Sequence, residues 1–232
     1  MSTKKLALLA LIAACPILFF SLDLGQHLSF ESLKANREAL IAFHASHRLA
    51  TVLTFMALYI LQTALSLPGA TVFSLAAGLL FGAALGTVYA VIAATIGAVL
   101  AFGLSRYLVR DLVQQRFGTR LAKVNEALEK EGLSYLLFLR LVPLFPFFLV
   151  NLAAAMTRLP LRTFALGTLI GILPGGFIYV NAGASIATIN SLGDIASPKV
   201  VGSFALLGVF ALLPGLFQAL KTRTTTEEGS KV

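Results

Sequence analysis

Arg140 stands inside Phe138-Leu139-Arg140-Leu141-Val142-Pro143-Leu144-Phe145-Pro146-Phe147, a run that is otherwise wholly apolar. A guanidinium at membrane depth costs about 2.5–3.5 kcal/mol on insertion scales. It therefore needs a partner: a carboxylate, an exposed backbone carbonyl, water or a lipid phosphate. Pro143 and Pro146 remove backbone donors and free carbonyls nearby, which supplies part of that partnership. No Asp or Glu occurs between Glu38 and Asp111, or between Glu131 and Asp194, so a carboxylate partner is scarce. A fixed cation without a fixed counter-ion suits a passing anionic headgroup, and guanidinium geometry matches phosphate. The competing reading is that Arg140, close behind Gly132 in the chain, snorkels to the cytoplasmic interface.

Asn151, Gln62 and Asn181 are further polar groups in apolar surroundings. They either bind substrate or hydrogen-bond between helices, and both readings stay open. Arg106 ends an apolar run and reads as an interface anchor. Other chemistries find little support. Gly183-Ala184-Ser185 has a serine-protease look, but His27, His44 and His47 all precede it and none follows. His44 and His47 lack a third ligand nearby, so they read as two histidines on a solvated helix face and not as a metal site. No phosphate-binding loop or zinc-peptidase motif occurs. The expectation is a non-enzyme that holds no metal or cofactor.

The elements that position these residues follow from composition. Of 232 residues, 58% are hydrophobic and 12% are charged, against roughly 25% charged in soluble domains. That excludes an ordinary water-soluble domain and polar disorder alike. The net charge of +8 sits at the ends of apolar runs, which points to acidic headgroups and away from nucleic acid. One cysteine, Cys15, rules out a disulfide framework.

Lys4 and Lys5 precede an apolar run from Leu6 to Leu22. An uncleaved first span is favoured over a signal peptide, because the run continues past a short cleavable core. Residues 23–48 read as a short helix on the membrane surface. From Leu49 to Ser105 no residue is charged, so the stretch must enter the bilayer more than once. Its simplest division is an entering segment 49–66, a break at Pro68-Gly69, a returning segment 70–84 and a full helix 86–106. Residues 106–132 form a basic amphipathic helix with Gly132 as its stop. Residues 133–157, with Pro143 and Pro146, suit a hairpin that enters and leaves by one face. Helix 162–182, interrupted near Pro174, and a last span over 200–220 follow, then a polar tail from Lys221. The boundaries drawn are 1–48, 49–190, 191–220 and 221–232.

Phe73-Ser74-Leu75-Ala76-Ala77-Gly78 matches Val150-Asn151-Leu152-Ala153-Ala154-Ala155 at an offset of 77. With both termini cytoplasmic, every large basic cluster falls inside. The two broken hairpins then approach the midplane from opposite sides. The expected fold is all-α: a polytopic integral membrane protein with two opposed re-entrant helical hairpins in an inverted repeat. Paired broken segments of this kind point to a transport site between them. Gly78, Gly82 and Gly86, and Gly167, Gly171 and Gly175, recur at packing spacing.

Leu67-Pro68-Gly69 with Ala77-Gly78-Leu79-Leu80-Phe81-Gly82 and Gly86 resembles one half of the VTT domain. Arg140 through Phe147 and on to Asn151, with Gly171, Pro174 and Gly183, resembles the other half. The resemblance is to the VTT-domain proteins, or SNARE-associated Golgi protein family, of the DedA superfamily, over roughly residues 49–190. It implies paired re-entrant hairpins and a role in lipid movement: phospholipid scrambling, flipping of polyprenyl-phosphate carriers, or proton-dependent transport. By that likeness Arg140 contacts a headgroup phosphate and the prolines shape the hairpin tip. The chain departs from the DedA branch in having only Gln62 where acidic residues are expected near the first hairpin, and in having Ala155 where a glycine follows the asparagine. The first departure favours passive exchange over proton coupling. The expected activity is lipid translocation, with membrane phospholipids or polyprenyl-phosphate lipids as partners and a homo-oligomer open. The alternative is an ion- or proton-coupled solute transporter on the same scaffold. The expected location is a bacterial plasma membrane.

Overall fold

The computed structural model describes residues 29–141 and 145–187, together with 14, 18, 19, 21 and 202; the side chains of 30, 111–124, 126, 127, 129 and 130 fall outside that description. Pro143, nearly all of the first span over 6–22 with Cys15, the last span over 200–220 and the polar tail also lie outside the described residues. Every described element is helical: α1 Phe30–Ala35, α2 Arg37–Ser46, α3 Arg48–Ala64, α4 Ala70–Leu141, α5 Phe147–Met156, α6 Leu161–Gly171 and α7 Leu173–Ala187.

Size and polarity are sorted inside out. Leu85, Val88, Ile92, Ile96 and Leu100 recur at three- and four-residue spacing and are all exposed. The opposite face of the same helix buries Ala90, Ala93, Ala94, Ala98 and Ala101. Large apolar side chains outward and small ones inward is the arrangement of helices that pack in lipid, where close backbone approach replaces the hydrophobic drive.

The surface helix expected over 23–48 is two helices, α1 and α2, divided at Asn36, whose side-chain amide turns back to the Ser32 carbonyl (2.9 Å). Helix α3 ends where the Leu67 N–H bonds the Gln62 carbonyl (2.9 Å) and the Ser66 N–H bonds the Thr63 carbonyl (3.0 Å). Those two bonds satisfy the last carbonyls and turn the chain sharply. The break over 65–69 carries Pro68 and Gly69 as expected.

Helix α4 is one helical run of 72 residues, yet it is not straight. The rings of Phe81 and Tyr89 meet edge to face at 5.2 Å, where a straight helix would separate them by about 12 Å. The bend lies at Gly82, whose φ of +76° belongs to the left-handed region that favours glycine. The expected returning segment 70–84 therefore ends two residues early, and Gly86 packs against the chain's own preceding limb: a Cβ there would stand 2.5 Å from the Ala77 carbonyl oxygen. The same helix turns back again before Leu136, because Phe102 and Leu136 lie in one core cluster with Phe164. Gly132 is not the stop that was expected. The helix continues to Leu141, and Gly132 is buried where a Cβ would meet Leu159 at 2.6 Å. The expected helix 162–182 is α6 and α7, bent by 41° about Ile172, with Pro174 in the first turn of α7 where its missing N–H is harmless.

Helix α4 ends 77 residues after α3 and α5 starts 77 residues after α4, the same offset that separates the two similar sequence strings. Each short helix after a break packs on a long helix from the other half. Limb 70–81 crosses α7, where a Cβ on Gly78 would stand 1.8 Å from the Val180 carbonyl oxygen and one on Gly183 2.0 Å from that of Leu75. Helix α5 packs on limb 83–110 through Ala98, Phe102, Ala154 and Ala155.

Candidate functional site

Arg140 sits in the last turn of α4, where a cation complements the helix C-terminus. Its Nη2 donates to Asn151 Oδ1 (2.6 Å) and to Thr168 Oγ1 (3.1 Å), and its Nε to the same hydroxyl (3.3 Å). Among the described residues its Nη1 donates to the Phe147 carbonyl, at 3.4 Å. The guanidinium lies 4.2 Å over the Phe147 ring and 5.4 Å from that of Phe164. Asn151 and Thr168 are almost wholly buried, so the partners are fixed. Gly171 presses on the stem, since a Cβ there would lie 2.5 Å from that of Arg140. The side chain is thus tied inward by α5 and α6.

Arg140 forms one wall of a cavity of about 580 Å³. The first break and its flanks also line it, through Tyr59, Gln62, Ser66, Pro68, Thr71 and Ser74. Phe147, Phe148, Gly176 and Tyr179 complete it. Among the described residues no Asp or Glu lines it.

The first-break wall is polar and neutral. Gln62 Nε2 donates to the Leu67 carbonyl, and Gln62 Oε1 accepts from Thr63 Oγ1 (3.1 Å). Tyr59 OH meets Ser74 Oγ at 3.1 Å. The hydroxyls of Ser66 and Thr71 have no partner among the described residues, and Ser66 holds φ +57°, a conformation that favours glycine.

Of the residues expected to bind substrate, Arg140 and Gln62 line the cavity. Asn151 accepts from Arg140 and orients it; its Nδ2 is buried without a partner among the described residues. Pro68 lines the cavity and Pro146 caps the start of α5. Gly78, Gly86, Gly171 and Gly183 are close-contact positions, and Gly82 is a conformational one with nothing within 4 Å of an added Cβ. Asn181 lies in α7, where its carbonyl accepts from Ser185 Oγ (3.0 Å).

Arg106 differs from its reading as an interface anchor. Its Nη2 donates to the carbonyls of Thr157 (2.9 Å) and Leu159 (2.8 Å), its Nε to that of Ala155 (3.3 Å), and it lies 4.2 Å over Phe102. It clamps the C-terminal end of α5. Thr168, Tyr59, Ser66 and Thr71 went unnoticed in the sequence, because single hydroxyls in apolar runs carry no spacing signal.

The model of the VTT domain matches residues 67–185, half of the chain. The Transmembrane protein 41 homolog of Dictyostelium discoideum is 33% identical over 193 residues, covering 82% of this chain and 58% of that protein. An uncharacterized membrane protein of Arabidopsis thaliana is 30% identical over 193 residues, 82% of this chain and 67% of its own length. Human Transmembrane protein 41B is 24% identical over 191 residues, 81% of this chain and 66% of its own. No solved structure matches.

Proposed function

The chain belongs to the VTT-domain family of integral membrane proteins, within the DedA superfamily, and we propose that it moves phosphate-bearing lipids between leaflets. In this reading the breaks at 65–69 and 142–146 are the tips of two opposed re-entrant hairpins, related as an inverted repeat. Their equal spacing and the exchange of short helices between halves support it. The membrane is a bacterial plasma membrane with both termini on the cytoplasmic side, and the substrate is a phospholipid or polyprenyl phosphate. No covalent bond is made or broken.

The observation that carries the reading is Arg140. Three of its donor contacts run to Asn151 and Thr168, which fix the guanidinium, and the residue lines the cavity. A phosphate there meets a donor already desolvated and oriented, so little ordering is lost on binding. The acyl tails stay in lipid along the exposed apolar rows while the headgroup crosses between the hairpins.

Liposomes carrying a tail-labelled fluorescent phospholipid and an external quencher test this. With the protein present, quenching should proceed beyond the outer-leaflet fraction, whereas empty vesicles stop there. Arg140→Ala should slow the exchange at least about tenfold, the loss of a charge-assisted bond of about 1.5–3 kcal/mol. Wild-type flux equal to that of empty vesicles, for phospholipid and polyprenyl phosphate alike, overturns the proposal.

A further inference from the structure

The cavity's charge and its hydroxyls define a headgroup class. We infer that the site selects a net-anionic lipid whose phosphodiester carries a neutral polyol, of the glycerol or inositol kind, over zwitterionic lipids. This deepens the translocase reading and rests on it.

Charge comes first. A phosphodiester carries one negative charge, and Arg140 supplies one positive charge to the cavity. An ammonium on the same headgroup would need a carboxylate or an aromatic cage, and among the described residues no Asp or Glu lines the walls. Two of the four lining rings already have a face taken. Phe147 lies under the Arg140 guanidinium at 4.2 Å, and Tyr59 stacks on Phe73 with centroids 5.0 Å apart. A second cation entering the cavity would also be repelled by Arg140, and the poorly hydrated surroundings strengthen that repulsion.

The hydroxyls come second. Ser66 occupies the position after the end of α3 where the chain turns with φ +57°. Glycine is the residue that turn favours, so serine there holds strain in exchange for a hydroxyl. Ser66 and Thr71 are exposed residues that line the cavity, and their hydroxyls have no partner among the described residues. They belong to residues that line the same cavity as Arg140, and hydroxyls are suited to donate to and accept from a polyol.

Native mass spectrometry of the whole protein in detergent, titrated with lysophosphatidylglycerol and lysophosphatidylcholine of equal chain length, reads the selectivity without requiring transport. Lysophosphatidylglycerol should bind at least tenfold more tightly. Arg140→Gln should erase that preference. Ser66→Gly should lower lysophosphatidylglycerol binding about threefold, leave lysophosphatidylcholine unchanged and raise the melting temperature, because glycine relieves the turn. A purely structural role for Ser66 would not move affinity and stability in that opposed sense. Soluble glycerol phosphate should fail to displace the lysolipid at equal concentration. Equal affinity for the two lysolipids overturns the selectivity, and displacement by glycerol phosphate overturns the assignment to a lipid. The flux assay, run with tail-labelled phosphatidylglycerol and phosphatidylcholine, separates the two claims: fast exchange of both equally leaves translocation standing and removes the headgroup preference.

Discussion

At the crossing of limb 70–81 with α7, two backbones touch: Gly78 and Gly183 leave no room for a Cβ. The corresponding positions 77 residues away are Ala155 and Arg106, and there the contact is a guanidinium reaching the carbonyls of Ala155, Thr157 and Leu159. Both crossings fasten the short helix of one half to a long helix of the other. The first does so by van der Waals approach, the second by charge-assisted hydrogen bonds to carbonyls that the end of α5 would otherwise leave unsatisfied. The difference extends to the breaks. Near the first, Gln62, Thr63 and Leu67 satisfy one another, as do Tyr59 and Ser74. Near the second, Arg140 brings a charge that Asn151 and Thr168 hold without neutralising it. One architecture thus carries a neutral half and a cationic half, and the cavity lies where they face each other.

Substitutions can break that contrast. The largest effect should come from Gly78→Val. Its side chain would enter the Val180 carbonyl, so a loss of about 3 kcal/mol or more is expected, the upper range for overpacking. Loss of the monodisperse peak in size-exclusion chromatography checks it. Arg106→Leu comes next, with about 2–3 kcal/mol from charged hydrogen bonds lost to buried acceptors. Its melting transition should fall, and Arg106→Lys should recover only part, because one ammonium cannot span three carbonyls. Gln62→Leu removes the side-chain contacts to Leu67 and Thr63 and should lower stability by about 1–2 kcal/mol, with lipid exchange falling less than in Arg140→Ala. An equal or larger loss of exchange with Gln62→Leu would put the stronger headgroup contact on the neutral half and reverse the contrast. The smallest effect belongs to Gly82. Alanine meets no neighbour there and suffers only the left-handed backbone, about 1 kcal/mol, and asparagine should cost less. Denaturation curves of the two variants separate backbone preference from packing.

Much of this was legible in the residues. Pro68-Gly69 and the Pro146 region mark the breaks because proline and glycine cannot continue a helix there, and the lone Arg140 in an apolar run announced a site. Gly82 was read as a packing glycine because a residue needed for positive φ and one needed for closeness look alike at four-residue spacing. Arg106 was read as an anchor because its acceptors lie about fifty residues onward, created only where α5 ends. Gly132 was read as a stop for the same reason: Leu159, which needs the space, is distant in sequence. Thr168 gave no sign, since a hydroxyl becomes a guanidinium partner only through tertiary contact.

The Gly78–Gly183 crossing also bears on how the protein is made. Limb 70–81 is translated early, yet the surface it leans on arrives only with α7, about a hundred residues later. Until the ribosome has delivered that helix, limb 70–81 has lipid or an insertion factor against its glycine face. Biogenesis therefore closes the molecule in the reverse of the order in which it is spelled, and any stall before residue 173 strands the early half with its seam open.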